Sequence, residues 1–198
     1  DVLCVDKTGT ITQPEMAVRQ VVLLDETRFP EPLVEDLLTA CCAALDAEND
    51  TGRALAARFC GAARWPAERT VPFASDTKWS AVVFREQGSY VLGAPDVLLR
   101  SGYQALEPRI LPFQEAGCRV LLFAACSEPP VQGRLGGDVH PVALLVLHNP
   151  IRPEAPGTFQ YFARQGVAVK VISGDHPAAV SRIARQAGIE GAERYVDA

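Results

Sequence analysis

The sequence predicts an α/β chain in which a partial doubly wound parallel sheet is interrupted by an α+β insertion built on an antiparallel sheet. Three observations lead there. The chain opens on a short apolar stretch, Val2-Leu3-Cys4-Val5, that ends on an acid, Asp6. Beyond residue 141, apolar strand-like runs alternate with helical ones. Between these ends the pattern changes to strands paired across turn residues.

Taken in order, Val2 to Asp6 reads as a buried strand, followed by the turn-forming Lys7-Thr8-Gly9-Thr10. A second strand is expected from Val18 to Leu24, closed by Asp25-Glu26-Thr27. Leu33, Leu37, Leu38, Cys41 and Leu45 recur at helical spacing, as do Ala54, Leu55, Arg58 and Phe59. Ser80 to Phe84 and Tyr90 to Leu92 flank Glu86-Gln87-Gly88-Ser89, a hairpin signal. Helices are expected from Pro95 to Leu99 and from Pro108 to Glu115, and a strand from Val120 to Ala125. The Gly- and Pro-rich stretch Glu128 to Asp138 reads as a surface loop. Val142 to Leu147 is wholly apolar and reads as a buried strand of the parallel unit. A helix over Pro153 to Gln165 follows, with proline near its first turn and Gly166 past its end. Val167 to Ile172 is then a buried strand and Pro177 to Ala187 a helix before Gly188. The expected division places 1–17 and 141–198 in the parallel unit and 18–140 in the insertion.

With 48% hydrophobic and 22% charged residues over 198 positions, the chain can bury a real core, which excludes disorder. Its net charge is −5 and it holds no basic run, so nucleic acid and anionic membrane surfaces are poor partners. Uncharged apolar runs such as Val142 to Leu147 fall far short of the ~18 residues that span a bilayer. No signal peptide opens the chain, and a soluble piece of protein is expected. Six cysteines, Cys4, Cys41, Cys42, Cys60, Cys118 and Cys126, form no Cys-x-x-Cys pair, and Cys41 and Cys42 are adjacent. That pattern suits neither a disulfide framework nor a zinc site, and points to reduced, inert thiols in the cytosol.

The strongest chemical signal is Asp6-Lys7-Thr8-Gly9-Thr10-Ile11-Thr12. An aspartate at a strand end can attack phosphorus and form an aspartyl-phosphate. Gly9 permits the tight turn that aims backbone amides at phosphate oxygens, while Lys7, Thr8 and Thr10 add charge and donors. The unbroken Asp-Lys-Thr-Gly-Thr string resembles the phosphorylation motif of P-type ATPases, within the haloacid dehalogenase superfamily.

Further matches follow in the family's order. Ser173-Gly174-Asp175 resembles its Thr-Gly-Asp, whose hydroxyl holds a phosphoryl oxygen and whose acid organises the site around Mg²⁺. Asn149-Pro150-Ile151-Arg152 resembles the hinge motif Asp-Pro-x-Arg, in which Arg152 would bring charge toward nucleotide phosphate. Asn149 departs from it, exchanging an acceptor-only group for a mixed donor and acceptor. Phe73 and Lys78 keep the family's Phe-x-x-x-x-Lys spacing, which implies stacking of adenine on Phe73 with Lys78 lining the same pocket. Leu92-Gly93-Ala94-Pro95-Asp96 resembles Lys-Gly-Ala-Pro-Glu, with Gly93 allowing close backbone approach and Leu92 in place of the lysine. Gly117-Cys118-Arg119-Val120-Leu121 resembles Gly-x-Arg-Val-Leu, whose arginine reaches toward phosphate.

The resemblance covers nearly the whole chain and implies a haloacid dehalogenase-like phosphorylation domain interrupted by a nucleotide-binding domain. It implies ATP as ligand and Mg²⁺ held through Asp6 and Thr8, with a further carboxylate from a Gly-Asp-Gly-x-Asn-Asp motif expected beyond Ala198. It also implies a parent with membrane helices and an actuator domain, working at the cytosolic face of a membrane. The isolated chain is then a monomeric, inactive fragment. A free-standing phosphatase of the superfamily would place a second acid two residues after the nucleophile, where this chain has Thr8. For the isolated chain, a non-catalytic nucleotide-binding module is the other reading. Heavy-metal pumps of the family carry a Ser-Glu-His-Pro motif, whereas His140-Pro141 and His176-Pro177 stand in other settings here. The expected ion is therefore a hard cation, calcium first, with magnesium, sodium or protons behind it.

Overall fold

The computed structural model describes residues 1–131, 133–175 and 177–196, so His176 lies outside the described residues. In chain order the strands are β1 (Val2–Asp6), β2 (Ala17–Leu23), β3 (Ala67–Val71), β4 (Trp79–Phe84), β5 (Gly88–Gly93), β6 (Arg119–Val131), β7 (Arg134–His148) and β8 (Ala168–Ile172). The helices are α1 (Glu31–Ala44), α2 (Asp50–Arg58), α3 (Pro95–Leu99), α4 (Tyr103–Glu115), α5 (Ala155–Arg164) and α6 (Pro177–Gln186). β1 and β8 form a two-stranded parallel sheet; the other six form an antiparallel sheet in the order β2-β7-β6-β5-β4-β3.

The insertion is a three-layer lobe. Alternate residues of its strands face opposite ways, so Val82 and Phe84 of β4 join one buried cluster while Trp79 and Ala81 join the other. The first cluster packs α1 and α2 on the sheet through Leu37, Leu38, Leu55, Phe123 and Leu145. Within it Tyr90 and Phe123 stack with centroids 5.3 Å apart. The second packs α3 and α4 on the opposite face through Leu98, Ile110, Leu122 and Leu144. α2 starts cleanly because the Asn49 side chain accepts the Gly52 N–H at 2.8 Å.

The parallel lobe is smaller. A third cluster of Ile11, Ala155, Phe159, Ala184, Ala187 and Ile189 joins the turn after β1 to α5, α6 and the segment beyond. β1 and β8 alternate between half-buried and exposed positions, so the expectation that they are buried is corrected. One face packs through Val5, Val169 and Val171, while Val2 and Ile172 are each 64% exposed.

Further expectations of local structure are corrected. Val142 to Leu147 belongs to β7, an antiparallel neighbour of β2 and β6, and the expected division after residue 140 falls inside this strand. A continuous apolar run reports burial on both faces, and helices on both sides of an antiparallel sheet produce the same run as a parallel sheet does. Glu128 to Asp138 is not a loop: β6 and β7 continue through it as a hairpin, pairing Glu128 with Gly136 and Val131 with Arg134. Its prolines and glycines sit beside register shifts, where a strand tolerates them. α4 also begins earlier than expected and contains Pro108 and Pro112.

Candidate functional site

The parallel pairing sets Asp6 beside Ile172, so Lys7–Thr10 and Ser173–Asp175 leave the sheet at the same end. Lys7 to Ile11 makes one wide turn, closed by the Thr12 N–H on the Lys7 carbonyl at 3.1 Å. Gly9 sits at φ +81°, a conformation that strains any side-chain-bearing residue. Asp6 Oδ1 accepts the Lys7 N–H at 2.8 Å, yet the Asp6 and Thr8 side chains are exposed. Lys7 is only 7% exposed, and its ammonium pairs with the Asp175 carboxylate. The Asp175 N–H in turn donates to Ser173 Oγ at 3.2 Å. The result is an open carboxylate, Asp6, beside a lysine whose charge is already met by Asp175 and a serine hydroxyl at the neighbouring strand end.

Two chain crossings connect the lobes and pair with each other. The Gln13 N–H donates to the Pro150 carbonyl at 2.7 Å and the Arg152 N–H to the Ile11 carbonyl at 3.0 Å. Arg152, expected to reach toward nucleotide phosphate, places its guanidinium on the Gly9 carbonyl at 2.8 and 3.2 Å. It holds the turn after Asp6 in shape. Asn149 donates through Nδ2 to the carbonyls of Gln13 and Pro14 at 3.3 and 3.0 Å. A carboxylate there could donate to neither.

The insertion carries a separate, mostly apolar cavity of about 460 Å³ between α1, the start of α2 and the sheet. Phe73, Lys78, Gly93 and Arg119 all line it. Phe73 is 49% exposed, so it is no core residue; its ring stands free to meet a ligand. Lys78 is exposed and held at φ +59°, unusual for a residue with a side chain. Its N–H donates to Ala74 and its carbonyl accepts from Ala94. Gly93 faces this turn so tightly that a Cβ would lie 2.5 Å from the Lys78 carbonyl oxygen and from Trp79 Cβ. The glycine is thus demanded by the protein's own packing. Leu92 is a buried apolar wall, and the thiols of Cys41 and Cys42 line the same cavity. Burial pushes the Cys42 pKa up to about 12 and that of Cys41 up as well, so both remain neutral.

Three polar residues of the cavity, Asp46, Glu48 and Thr51, carry no motif in the sequence, and Asn49 joins them there. Thr51 Oγ1 accepts a hydrogen bond from the Arg119 guanidinium and fixes it at the cavity. The sequence signal was Asn49 followed by Gly52, a capped helix start, but nothing in it showed what that start faces. Among the described residues no cluster of three His, Cys, Asp or Glu side chains is placed to hold a metal. No helix of the described residues is long and apolar enough to cross a membrane.

A family model described as haloacid dehalogenase-like hydrolase matches residues 1–197. The chain belongs to that family. It is 42% identical over 197 residues to the calcium-transporting ATPase CtpE of Mycobacterium bovis, covering 96% of this chain and 24% of that protein. A Streptococcus pneumoniae protein named "Probable cation-transporting ATPase" is 39% identical, covering 100% of this chain and 25% of its own length. The chain therefore spans about a quarter of the length of these relatives. The crystal structure of a zinc-transporting PIB-type ATPase has the same fold, with TM-score 0.68 at 21% identity over 95% of this chain and 28% of that one.

Proposed function

We propose that the chain is the ATP-binding and aspartyl-phosphate-forming portion, at the cytosolic face, of a membrane cation-transporting P-type ATPase, with calcium as the leading ion. One observation carries this reading. Phe73, Lys78, Gly93 and Arg119, far apart in sequence, converge on one cavity of the insertion while Asp6 stands open in the other lobe. The names of the relatives support the ion assignment. The remainder of the parent polypeptide, membrane helices and actuator domain, is the expected partner.

The adenine ring would lie against the Phe73 face, with Lys78 lining the same pocket and Arg119 turned to the phosphates. Asp6 attacks the γ-phosphorus: an O–P bond forms, the bond to the bridging oxygen breaks, and ADP leaves. Gly9, fixed by Arg152, keeps the turn's backbone in place, and the Ser173 hydroxyl at the neighbouring strand end donates to the transferring group. Lys7 and Asp175, locked together, hold the two strand ends in register. The Asp6 carboxylate and Thr8 carbonyl are hard oxygen donors of the kind Mg²⁺ takes, so these residues fit that ion. When bound, it neutralises phosphate charge. With Thr8 where a phosphatase has its second acid, hydrolysis of the phosphoenzyme is slow, as a pump that changes shape while phosphorylated requires.

In the full-length protein, γ-labelled ATP yields an acid-stable, hydroxylamine-sensitive phosphoenzyme, and Asp6→Asn abolishes it. Labelling that survives this substitution overturns the assignment.

A further inference from the structure

A second cavity, of about 110 Å³, lies in the cleft between the lobes. The insertion contributes Arg19 from β2, Cys118 just before β6 and His148 from the end of β7. The parallel lobe contributes Lys7 and, from α6, Arg182 and Gln186. This cavity shares no lining residue with the nucleotide pocket, and neither Asp6 nor Ser173 lines it.

Its charge is one-sided. The lining holds Arg19, Arg182 and Lys7 but no carboxylate. Lys7 is matched by Asp175. Neither arginine has an ion-pair partner among the described residues, whereas Arg53, Arg58 and Arg64 each meet an acid. Arg19 donates to the Cys118 thiol at 3.7 Å, a weak acceptor for a guanidinium. Burial and the neighbouring Arg19 push the His148 pKa down, so His148 adds a neutral ring and not a third charge. Two cations from different lobes thus face one polar cavity without a counter-charge, in a space larger than the roughly 30 Å³ share of a single water. Guanidinium groups are the side chains best matched to tetrahedral oxyanions.

We infer that this cleft is an oxyanion site, distinct from the nucleotide pocket and bordering the Asp6 centre only through Lys7, that takes a phosphate-sized tetrahedral anion between Arg19 and Arg182. Occupancy ties β2 to α6 and so holds the lobes in their present relation, alongside the Asn149 clamp on the crossings. The site makes no use of ATP, and its existence stands or falls apart from the nucleotide reading.

The test is a backbone NMR titration of the chain with inorganic phosphate, ionic strength held constant with chloride. The expected result is saturable shifts at Arg19, Cys118, Asn149 and Arg182. The paired substitution Arg19→Gln with Arg182→Gln weakens phosphate binding about ten-fold or more and leaves ATP affinity unchanged. Each single variant, altered only at an exposed arginine, gives a smaller loss and serves if the double variant does not fold. Shifts confined to Asp6–Gly9 and Ser173–Asp175 overturn the site, as does phosphate binding that survives the double substitution. Displacement of phosphate from the cleft by ATP also overturns it, since the cleft would then belong to the nucleotide's own path. An ATP titration of the unsubstituted chain reports separately on the Phe73 pocket.

Discussion

The two lobes are held together by different physics. In the insertion, helices cover both faces of the sheet, and β4 is buried along its whole length. In the parallel lobe the two strands are half-covered, and the turn after Asp6 is shaped by polar clamps: Lys7 on Asp175, Arg152 on the Gly9 carbonyl, Asn149 on the crossing. The difference suits the division of labour. The insertion's cavity is shaped by packing within its own lobe. The Asp6 carboxylate, the proposed phosphoryl acceptor, stands open on a frame that polar contacts orient and water can reach.

The largest effect is expected in the packed lobe. Phe123 is fully buried and stacked on Tyr90, so Phe123→Ala removes area and leaves a cavity. It should cost about 3–5 kcal/mol in urea unfolding, with ATP binding lost alongside. A loss below about 1 kcal/mol would place the two lobes on an equal footing.

Polar clamps should show smaller, more local effects. Asn149→Asp replaces a double donor by an acceptor facing two carbonyls, and should cost about 1–2 kcal/mol. The amides of Gln13 and Arg152, bonded across the crossings, should exchange hydrogen faster while those of β4 do not change. Lys78→Gly sharpens the contrast within the packed lobe. It should gain about 1 kcal/mol of stability by releasing the left-handed backbone, yet bind ATP more weakly for want of the ammonium. Stability and binding moving together would refute a role for Lys78 in the pocket.

The smallest effect is a titration. The hydrogen bond from His140, at 2.9 Å, together with the Arg28 N–H, lowers the Asp25 pKa below the usual carboxylate value. A lowered folded-state pKa means that this contact contributes above the unfolded-state value and is lost as pH falls through the folded one. NMR titration of the Asp25 carboxyl should therefore show a midpoint below 3.8, returning toward it in His140→Ala.

Legibility in the sequence followed the same divide. The Asp6 centre could be read because its residues are consecutive, Asp6 to Thr10 and Ser173 to Asp175, and the parallel register merely brings two strings to one edge. Phe73, Lys78, Gly93 and Arg119 were legible as motif residues, but their companions Asp46, Glu48 and Thr51 were not. Those arrive through the packing of α1 and α2 on the sheet, a contact no local pattern encodes. Val142 to Leu147 was misplaced for a related reason: an apolar run states that both faces are covered and is silent on strand direction. Arg152 was expected at the nucleotide, and its attachment to Gly9 depends on how the crossings pair.

On the proposed function, nucleotide binding belongs to the packed lobe alone, around Phe73, with Asp6 apart from it. Titration of the chain with ATP, ADP and adenosine, followed by NMR, tests it most directly. All three ligands should shift Phe73, Lys78, Gly93 and Thr51, and only those with phosphates should shift Arg119. Phe73→Ala should weaken ATP binding about ten-fold, the loss of one stacked ring, without changing the unfolding midpoint. Shifts that cluster at Asp6 and Ser173 instead, or a Phe73→Ala chain that binds ATP as its parent does, would contradict it.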